Sequence, residues 1–155
     1  TQVTPIQLAL ATSKIAFPNK SIVPHIRLNS QHLKQSDNLT SPIIVSNETI
    51  AWVKEGMEKV TEDGGTAALI GKNIKYKIAA KTGTVQVFGL KDGEVYDEEK
   101  IPEKLRDHAL FIAYAPAENP KIAVAIVVEN GGHGGSTAGP IARKIFDHYF
   151  TSESR

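Results

Sequence analysis

The stretch Lys81-Thr82-Gly83-Thr84 combines a cation, two hydroxyls and a position without a side chain. An alternating apolar pattern before it predicts a β-strand over about residues 74–88. On a strand, Lys81 and Gly83 share one face, and Thr82 and Thr84 share the other. Glycine weakens a strand interior, and a lysine there needs a partner or a route to water. The four residues therefore predict a strand that serves a ligand.

The chemistry that these residues suit is the binding and polarisation of an anionic or polar ligand. An ammonium beside a bare glycine leaves room for a ligand along the strand edge, where a larger side chain would block it. A backbone N–H of the same strand can donate a hydrogen bond to a developing oxyanion. Because Lys-Thr-Gly is a three-residue pattern that chance produces often, the rest of the chain has to support this interpretation.

A helix is predicted at the start of the chain. Thr4, Pro5 and Gln7 fit a capping box, and residues 4–17 are apolar nearly all round. Such a helix is normally buried on several sides, so a chain that opens directly into it resembles the middle of a domain. We therefore expect a further portion of the domain before Thr1.

A second helix is predicted to begin near Ser46 or Asn47 and to end at residues 64–65, which are both glycine. Its Trp52 is expected to be a packing residue. Its apolar stripe consists of Ile50, Val53, Met57 and Val60.

Two further strands, residues 108–115 and 121–129, are joined by a short connection that suits an antiparallel pair. The second is almost continuously apolar, so both of its faces should be covered. A glycine-rich loop, residues 131–135, leads to a final helix with an apolar side. That side is formed by Ile141, Ile145, Phe146 and Tyr149. Consecutive strands with separate helices predict an α+β domain on an antiparallel sheet.

Composition narrows the possible functions. The 155 residues allow one domain, and a net charge of +1 gives no electrostatic case for nucleic acid as a partner. The absence of cysteine excludes disulfides and thiolate metal sites. Residues 91–107 are mostly charged, and their Glu98-Glu99 pair suits a metal or acid–base site. A solvated excursion between strands is the favoured interpretation, because both signs are mixed.

The histidines give no metal site. Four of them lack metal-ligand spacing relative to one another, namely His25, His32, His108 and His148. His133 lies among four glycines, where backbone can approach a ligand closely. It either lines the mouth of a cleft or belongs to a solvated turn, and the solvated turn is favoured.

Three stretches together show a family resemblance: "TPIQLALATS", "KIAAKTGTVQVFG" and "APAENPKIAVAIVVENGG". The chain resembles the penicillin-binding proteins, and among these the class B transpeptidases of the elongation type, the penicillin-binding protein 2 family. The resemblance runs over residues 4–150 and is weak over residues 18–46. It implies a five-stranded antiparallel sheet with helices on both faces, of which this chain holds a part. It also implies an active site along one strand edge, with no cofactor.

The family has three motifs: Ser-x-x-Lys with the acylated serine, Ser-x-Asn, and Lys-Thr/Ser-Gly on the edge strand. The third is matched by Lys81-Thr82-Gly83. The resemblance implies that Lys81 is catalytic, through the proton-transfer network and field around the serine. Thr82 is then mainly structural within the substrate-binding strand, and Gly83 leaves room for the acyl donor. Thr84 would bind the donor's carboxylate, and its N–H would supply half of the oxyanion hole.

The nucleophile is missing from the sequence, since no Ser-x-x-Lys occurs in it. Residues 1–155 are therefore predicted to be the C-terminal portion of one transpeptidase domain, inactive alone, with the serine upstream. Residues 36–38 have the sequence Ser-Asp-Asn, which matches the second motif. They follow the first helix instead of preceding it, so we interpret them as a coincidence.

The function that the resemblance implies is a serine D,D-transpeptidase that cross-links peptidoglycan stem peptides and is acylated by β-lactams. Its expected partners are the upstream portion, stem peptides, β-lactam antibiotics and membrane proteins of cell-wall elongation, at the periplasmic face of the bacterial inner membrane. Alternatives are a D,D-carboxypeptidase or β-lactamase, a non-catalytic penicillin-binding sensor or scaffold, and a truncated binding protein.

Overall fold

A computed structural model describes residues 2–20, 22–25, 45–87 and 101–152. They form three α-helices, three strands and two short 3-10 turns at Ala68–Gly71 and Glu103–Leu105. In chain order the main elements are α1 (Pro5–Ala16), α2 (Asn47–Lys59), β1 (Ala79–Val85), β2 (His108–Ala115), β3 (Ile122–Val128) and α3 (Gly134–Ser152).

The strands form one antiparallel sheet in the order β1-β2-β3. Tyr114 on β2 lies opposite Ala79 of β1 and opposite Ala123 of β3, which fixes the register. The central strand β2 is therefore paired on both sides. Among the described residues, β1 and β3 are the two outer strands.

Helices cover both faces of the sheet. On one face, α3 packs against alternate residues of β2, including Phe111, through its buried Phe146. On the other face, Ala16 of α1 and Met57 of α2 pack around Tyr114. This arrangement confirms the predicted α+β class with an antiparallel sheet and helices on both faces.

The predicted starts of the first two helices are confirmed. At α1, the Thr4 N–H donates to Gln7 Oε1 over 2.8 Å, and the Gln7 N–H donates to Thr4 Oγ1 over 3.3 Å, which completes the capping box. At α2, Ser46 Oγ accepts from the Thr49 N–H over 3.1 Å. The end of α2 was predicted too late, because the helix stops at Lys59 instead of at the glycine pair.

The strand predicted from residue 74 is too long, since β1 begins at Ala79. Ile74 and Tyr76 nevertheless pack on the same core as Ala80, so the apolar alternation marks one buried side. Residues 74–78 are held in place by contacts outside the sheet and not by pairing with a neighbouring strand. The Tyr76 hydroxyl donates to Asp147 Oδ1 over 2.6 Å, tying the segment to α3.

Three predictions about packing are wrong within the described residues. On α3, Phe146 is buried as predicted, but Ile141 and Ile145 are 41% and 38% exposed, and small residues pack beside Phe146 instead. That buried side consists of Ala138, Gly139, Ala142 and Phe146. On α2, Trp52 is 64% exposed. On β3, Val127 is 38% exposed, so one face of that strand is incompletely covered.

Candidate active site

Residues 81–84 lie in the middle of β1, opposite residues 109–112 of β2. Within the described part of the chain, only one edge of β1 is paired, so its backbone is available along the other edge. Lys81 and Thr84 are exposed, whereas Thr82 and Gly83 are half-buried. The structure thus places the four predicted residues together on an accessible strand edge.

The predicted alternation of these side chains is confirmed by their neighbours in β1. Ala79 belongs to the core under α1 and α2, and Ala80 belongs to the core under α3. Counting on along the strand, Lys81 and Gly83 lie on the α1 and α2 side. Thr82 lies on the α3 side, which separates the cation from the first threonine.

The Lys81 ammonium lies close to the strand itself. Its Nζ donates to the backbone carbonyl of Thr82 over 2.6 Å. Since the side chain is exposed, it contributes little packing, and its charge faces solvent at the open edge. This position suits an electrostatic role better than a structural one.

Gly83 has one close neighbour at the position where a side chain would begin. A Cβ atom there would lie 3.2 Å from Leu110 Cβ and 3.8 Å from Leu110 O, with no other heavy atom within 4 Å among those described. Its φ is not in the left-handed region, so the backbone conformation does not demand glycine. The described residues give only a mild steric reason for glycine here, which is compatible with space kept for a ligand.

Thr82 has a hydroxyl partner that the sequence does not reveal. Its Oγ1 lies 3.1 Å from Oγ1 of Thr66, an exposed residue in the turn that follows α2. This turn is itself stabilised by the Ala67 N–H, which donates to the Val60 carbonyl over 2.9 Å. This contact favours a structural role for Thr82.

The far end of β1 is held by Asp107, which is only 5% exposed. Its Oδ1 accepts from the Val87 N–H over 3.3 Å, and its carbonyl accepts from the Gly132 N–H over 2.8 Å. The prediction of a solvated excursion over residues 91–107 is therefore wrong at its C-terminal end. The charged Asp107 is buried because its oxygens accept hydrogen bonds from two separate backbone segments. Residues 91–100 lie outside the described residues.

The turn between β3 and α3 is braced by a second set of hydrogen bonds. The Asn130 N–H donates to His108 Nδ1 over 2.9 Å, and Asn130 Nδ2 donates to the Arg106 carbonyl over 2.8 Å. His108 thus has a structural role. Exposed His133 accepts at its carbonyl from the Thr137 N–H over 3.0 Å, just before α3 begins. Both interpretations of its side chain remain predictions.

In the ranges that the structure covers, no three His, Asp or Glu residues are grouped so that they could hold a metal ion. Nor is any helix there long and apolar enough to cross a membrane. The Ser36-Asp37-Asn38 stretch lies outside the described residues.

Comparison with known proteins places this geometry in a family. A family model described as the penicillin binding protein transpeptidase domain matches residues 1–147. The chain is 39% identical over 158 residues to the peptidoglycan D,D-transpeptidase MrdA of Salmonella typhimurium strain SL1344, covering 97% of this chain and 25% of that protein. It is 39% identical over 152 residues to MrdA of Haemophilus influenzae, covering 94% and 23%. The chain therefore spans about a quarter of the length of these relatives.

Solved structures agree with the sequence comparison. PBP2 of Pseudomonas aeruginosa in complex with WCK 5153 superposes with a TM-score of 0.73 at 33% identity, over 96% of this chain and 30% of that one. PBP2 of Helicobacter pylori in its complex with MreC gives a TM-score of 0.71 at 26% identity, over 96% and 25%.

Proposed function

This chain belongs to the penicillin-binding protein transpeptidase family, and from that premise we propose that it forms the C-terminal portion of a peptidoglycan D,D-transpeptidase domain. The observation that carries the proposal is the open edge of β1, along which Lys81, Gly83 and Thr84 lie within four consecutive residues. The relatives' shared name, peptidoglycan D,D-transpeptidase, supports this reaction over the hydrolytic alternatives.

In the complete protein, a serine supplied by the preceding part of the domain attacks the penultimate D-alanine carbonyl of a stem peptide. An acyl-enzyme forms, terminal D-alanine leaves, and the acyl group passes to an amine of a neighbouring stem. β-Lactams acylate the same serine. The residues of this chain need no metal or organic cofactor for these steps.

Three residues of the β1 edge act in this reaction. The Lys81 ammonium supplies positive charge to the proton-transfer network around the serine. The Thr84 hydroxyl binds the terminal carboxylate of the donor, and its N–H donates to the oxyanion. Gly83 keeps the strand face clear for the donor, which fits the small number of atoms near its Cβ position.

The setting of the complete protein is also part of the proposal. The Helicobacter pylori relative forms a complex with MreC. By analogy, the complete protein works with membrane proteins of cell-wall elongation, at the periplasmic face of the inner membrane. Co-purification with such proteins from a cross-linked membrane fraction tests this part, and recovery of the protein from the cytosol alone would contradict it.

The central test uses the full-length protein with a fluorescent penicillin and then with a stem-peptide donor. We expect one adduct per molecule, and a product that joins donor to an added amine. Hydrolysis of the donor with no amine product would favour a D,D-carboxypeptidase. Labelling without any turnover of donor would favour a penicillin-binding sensor or scaffold.

A further inference from the structure

The first turn of α3 lies against the backbone of the β1 edge. Gly134 is buried, and a Cβ atom at this position would collide with the Leu110 carbonyl oxygen. The same Cβ would lie 2.6 Å from the Gly83 oxygen and 3.0 Å from the Gly83 nitrogen. Since the φ of Gly134 is not in the left-handed region, space and not conformation requires glycine here.

The next residue makes a second contact of the same kind. A Cβ atom at Gly135 would collide with the Thr66 carbonyl oxygen and would lie 3.4 Å from Thr82 Cγ2. Thr66 is also the residue whose hydroxyl lies 3.1 Å from that of Thr82. Helix α3 therefore packs against both Gly83 and Thr82, and the turn that follows α2 contacts Thr82.

The elements around Gly134 determine whether α3, β2 or β1 moves when a methyl group is added at this position. Helix α3 is anchored by its buried Phe146 and by Thr137 Oγ1, which donates to the Gly131 carbonyl over 2.7 Å. Strand β2 is paired on both sides. The outer strand β1 has no strand beyond it among the described residues, so an added methyl group at position 134 displaces Gly83 more readily than Leu110.

We propose that Gly134 is a positioning residue for the reactive strand edge, and that it acts together with Thr66. The close approach of α3 fixes the depth of Gly83, and the Thr66 hydroxyl fixes Thr82. Together they set the direction of the adjoining Thr84 N–H. The inference rests on the proposed function, because it assumes that this edge aligns a donor with a serine. Misplacement of such groups by about 1 Å can cost about 10²-fold in rate.

The test compares three Gly→Ala variants of the full-length protein. Gly134→Ala adds the methyl group against β1. Gly139→Ala, on the same helix, adds one 3.3 Å from Ile70 Cγ2 and 3.5 Å from Phe111 Cε2, in the core and away from β1. Gly56→Ala on α2 adds one with no heavy atom within 4 Å. Each variant is measured for its melting temperature and for penicillin acylation, resolved into an initial binding constant and an acylation rate constant.

We expect Gly134→Ala to lower the acylation rate constant about 10²-fold with a smaller change in initial binding. Gly139→Ala, whose added methyl group has side-chain atoms as its closest neighbours, should lower the melting temperature less than Gly134→Ala and keep acylation near the wild-type rate. Gly56→Ala should keep the wild-type acylation rate and leave the melting temperature equal or higher, because alanine favours a helix interior over glycine. Acylation of Gly134→Ala at the wild-type rate, or a rate loss shared by Gly139→Ala, would overturn the inference.

Thr66 provides a second arm that decides the matter if Gly134→Ala does not fold. Thr66 is exposed, so Thr66→Val should fold, and it removes the hydroxyl that faces Thr82. We expect acylation about fivefold slower in Thr66→Val and near normal in Thr66→Ser, which retains the hydroxyl. Equal rates in the two variants would contradict the inference. A wild-type protein that penicillin does not label would instead remove the proposed function on which it rests.

Discussion

The two outer strands of the sheet, β1 and β3, differ in the chemistry of the side chains that they expose. The edge of β1 carries Lys81 and Thr84, both exposed, around a glycine. The outer strand β3 is apolar along its whole length, Ile122–Val128, and leaves Val127 38% exposed. The side chains exposed on β1 are therefore charged or hydrogen-bonding, whereas the side chain exposed on β3 is apolar.

Two apolar grooves flank the beginning of β3. One, of about 530 Å³, lies on the α3 side and is lined by residues that include Ile122, Ile141 and Ile145. The other, of about 400 Å³, lies on the α1 side between Leu10 and Ala123. No side chain of residues 81–84 lines either groove.

The difference shows what each edge suits. A peptide donor has to bind and then leave. It can pair with the backbone of an open strand and hydrogen-bond to fixed polar groups, and β1 provides both. An exposed apolar strand favours association, so a protein normally covers it permanently. We therefore infer that β3 is covered by the preceding part of the domain and that β1 remains open for the ligand.

The largest expected effect tests the β3 edge by separating the chain from the rest of its domain. Expressed alone, the 155 residues should give no penicillin adduct, because they lack Ser-x-x-Lys, and they should aggregate or melt without cooperativity. Mixing with the separately expressed preceding part should restore near-UV circular dichroism and labelling. A monomeric, cooperatively melting chain without that partner would contradict the coverage of β3.

The next effect compares a lysine of each edge in the full-length protein. Lys81→Ala should slow penicillin acylation by about 10²- to 10³-fold, because a preorganised charge is lost from the reacting site. Lys121→Ala, at an exposed position just before β3, is the matched control and should acylate normally. Both should melt within a degree or two of the wild type. Equal acylation by both variants would remove the electrostatic distinction between the edges.

A smaller effect is expected at Thr84. Thr84→Val keeps the shape and the backbone N–H but loses the hydroxyl, so carboxylate-bearing donors and β-lactams should bind about 10- to 100-fold more weakly. Thr84→Ser is the control that retains the hydroxyl. The same loss for a donor analogue without the carboxylate would show that the hydroxyl has another partner.

Local signals in the sequence predicted much of the fold and placed the candidate site. The Thr4–Gln7 capping box and the Ser46 cap depend on residues three apart, and both starts are confirmed. The strand alternation correctly separated Lys81 from Thr82, because side-chain direction follows from position along the strand. The catalytic roles of these residues remain predictions.

Features that depend on distant partners were not predictable. Residues 74–78 alternate like a strand, but contacts such as Tyr76 with Asp147 hold them outside the sheet. Helix α3 has two apolar sides, and its sequence does not show that Ala138 rather than Ile141 faces the sheet. Gly134 was recognised as part of a glycine loop, but nothing local indicates that its close neighbour is Gly83.

The central strand provides the smallest effect, since Tyr114 lies between the two edges, opposite Ala79 and Ala123. Its hydroxyl is buried and has no hydrogen-bond partner among the described residues. Tyr114→Phe should therefore leave the stability of the full-length protein unchanged or raise it by about 1 kcal/mol at neutral pH. Calorimetry measures this, and a clear loss of stability would reveal a partner for the hydroxyl in the rest of the protein.

The same residue gives a pH dependence with a definite sign. Burial, with a smaller contribution from the Glu58 charge, raises the pKa of Tyr114 to about 12 from its ordinary value of 10. The folded state thus favours the neutral phenol, a contribution that is complete below pH 10 and is lost as the pH rises towards and through 12. Burial also raises the pKa of Tyr76, so Tyr114→Phe should remove part of the alkaline loss and leave the remainder. Melting temperatures from pH 8 to about pH 11.5 should fall less steeply in the variant than in the wild type. Parallel curves would show that Tyr114 is solvated in the complete domain, and that neither edge strand shields the residue between them.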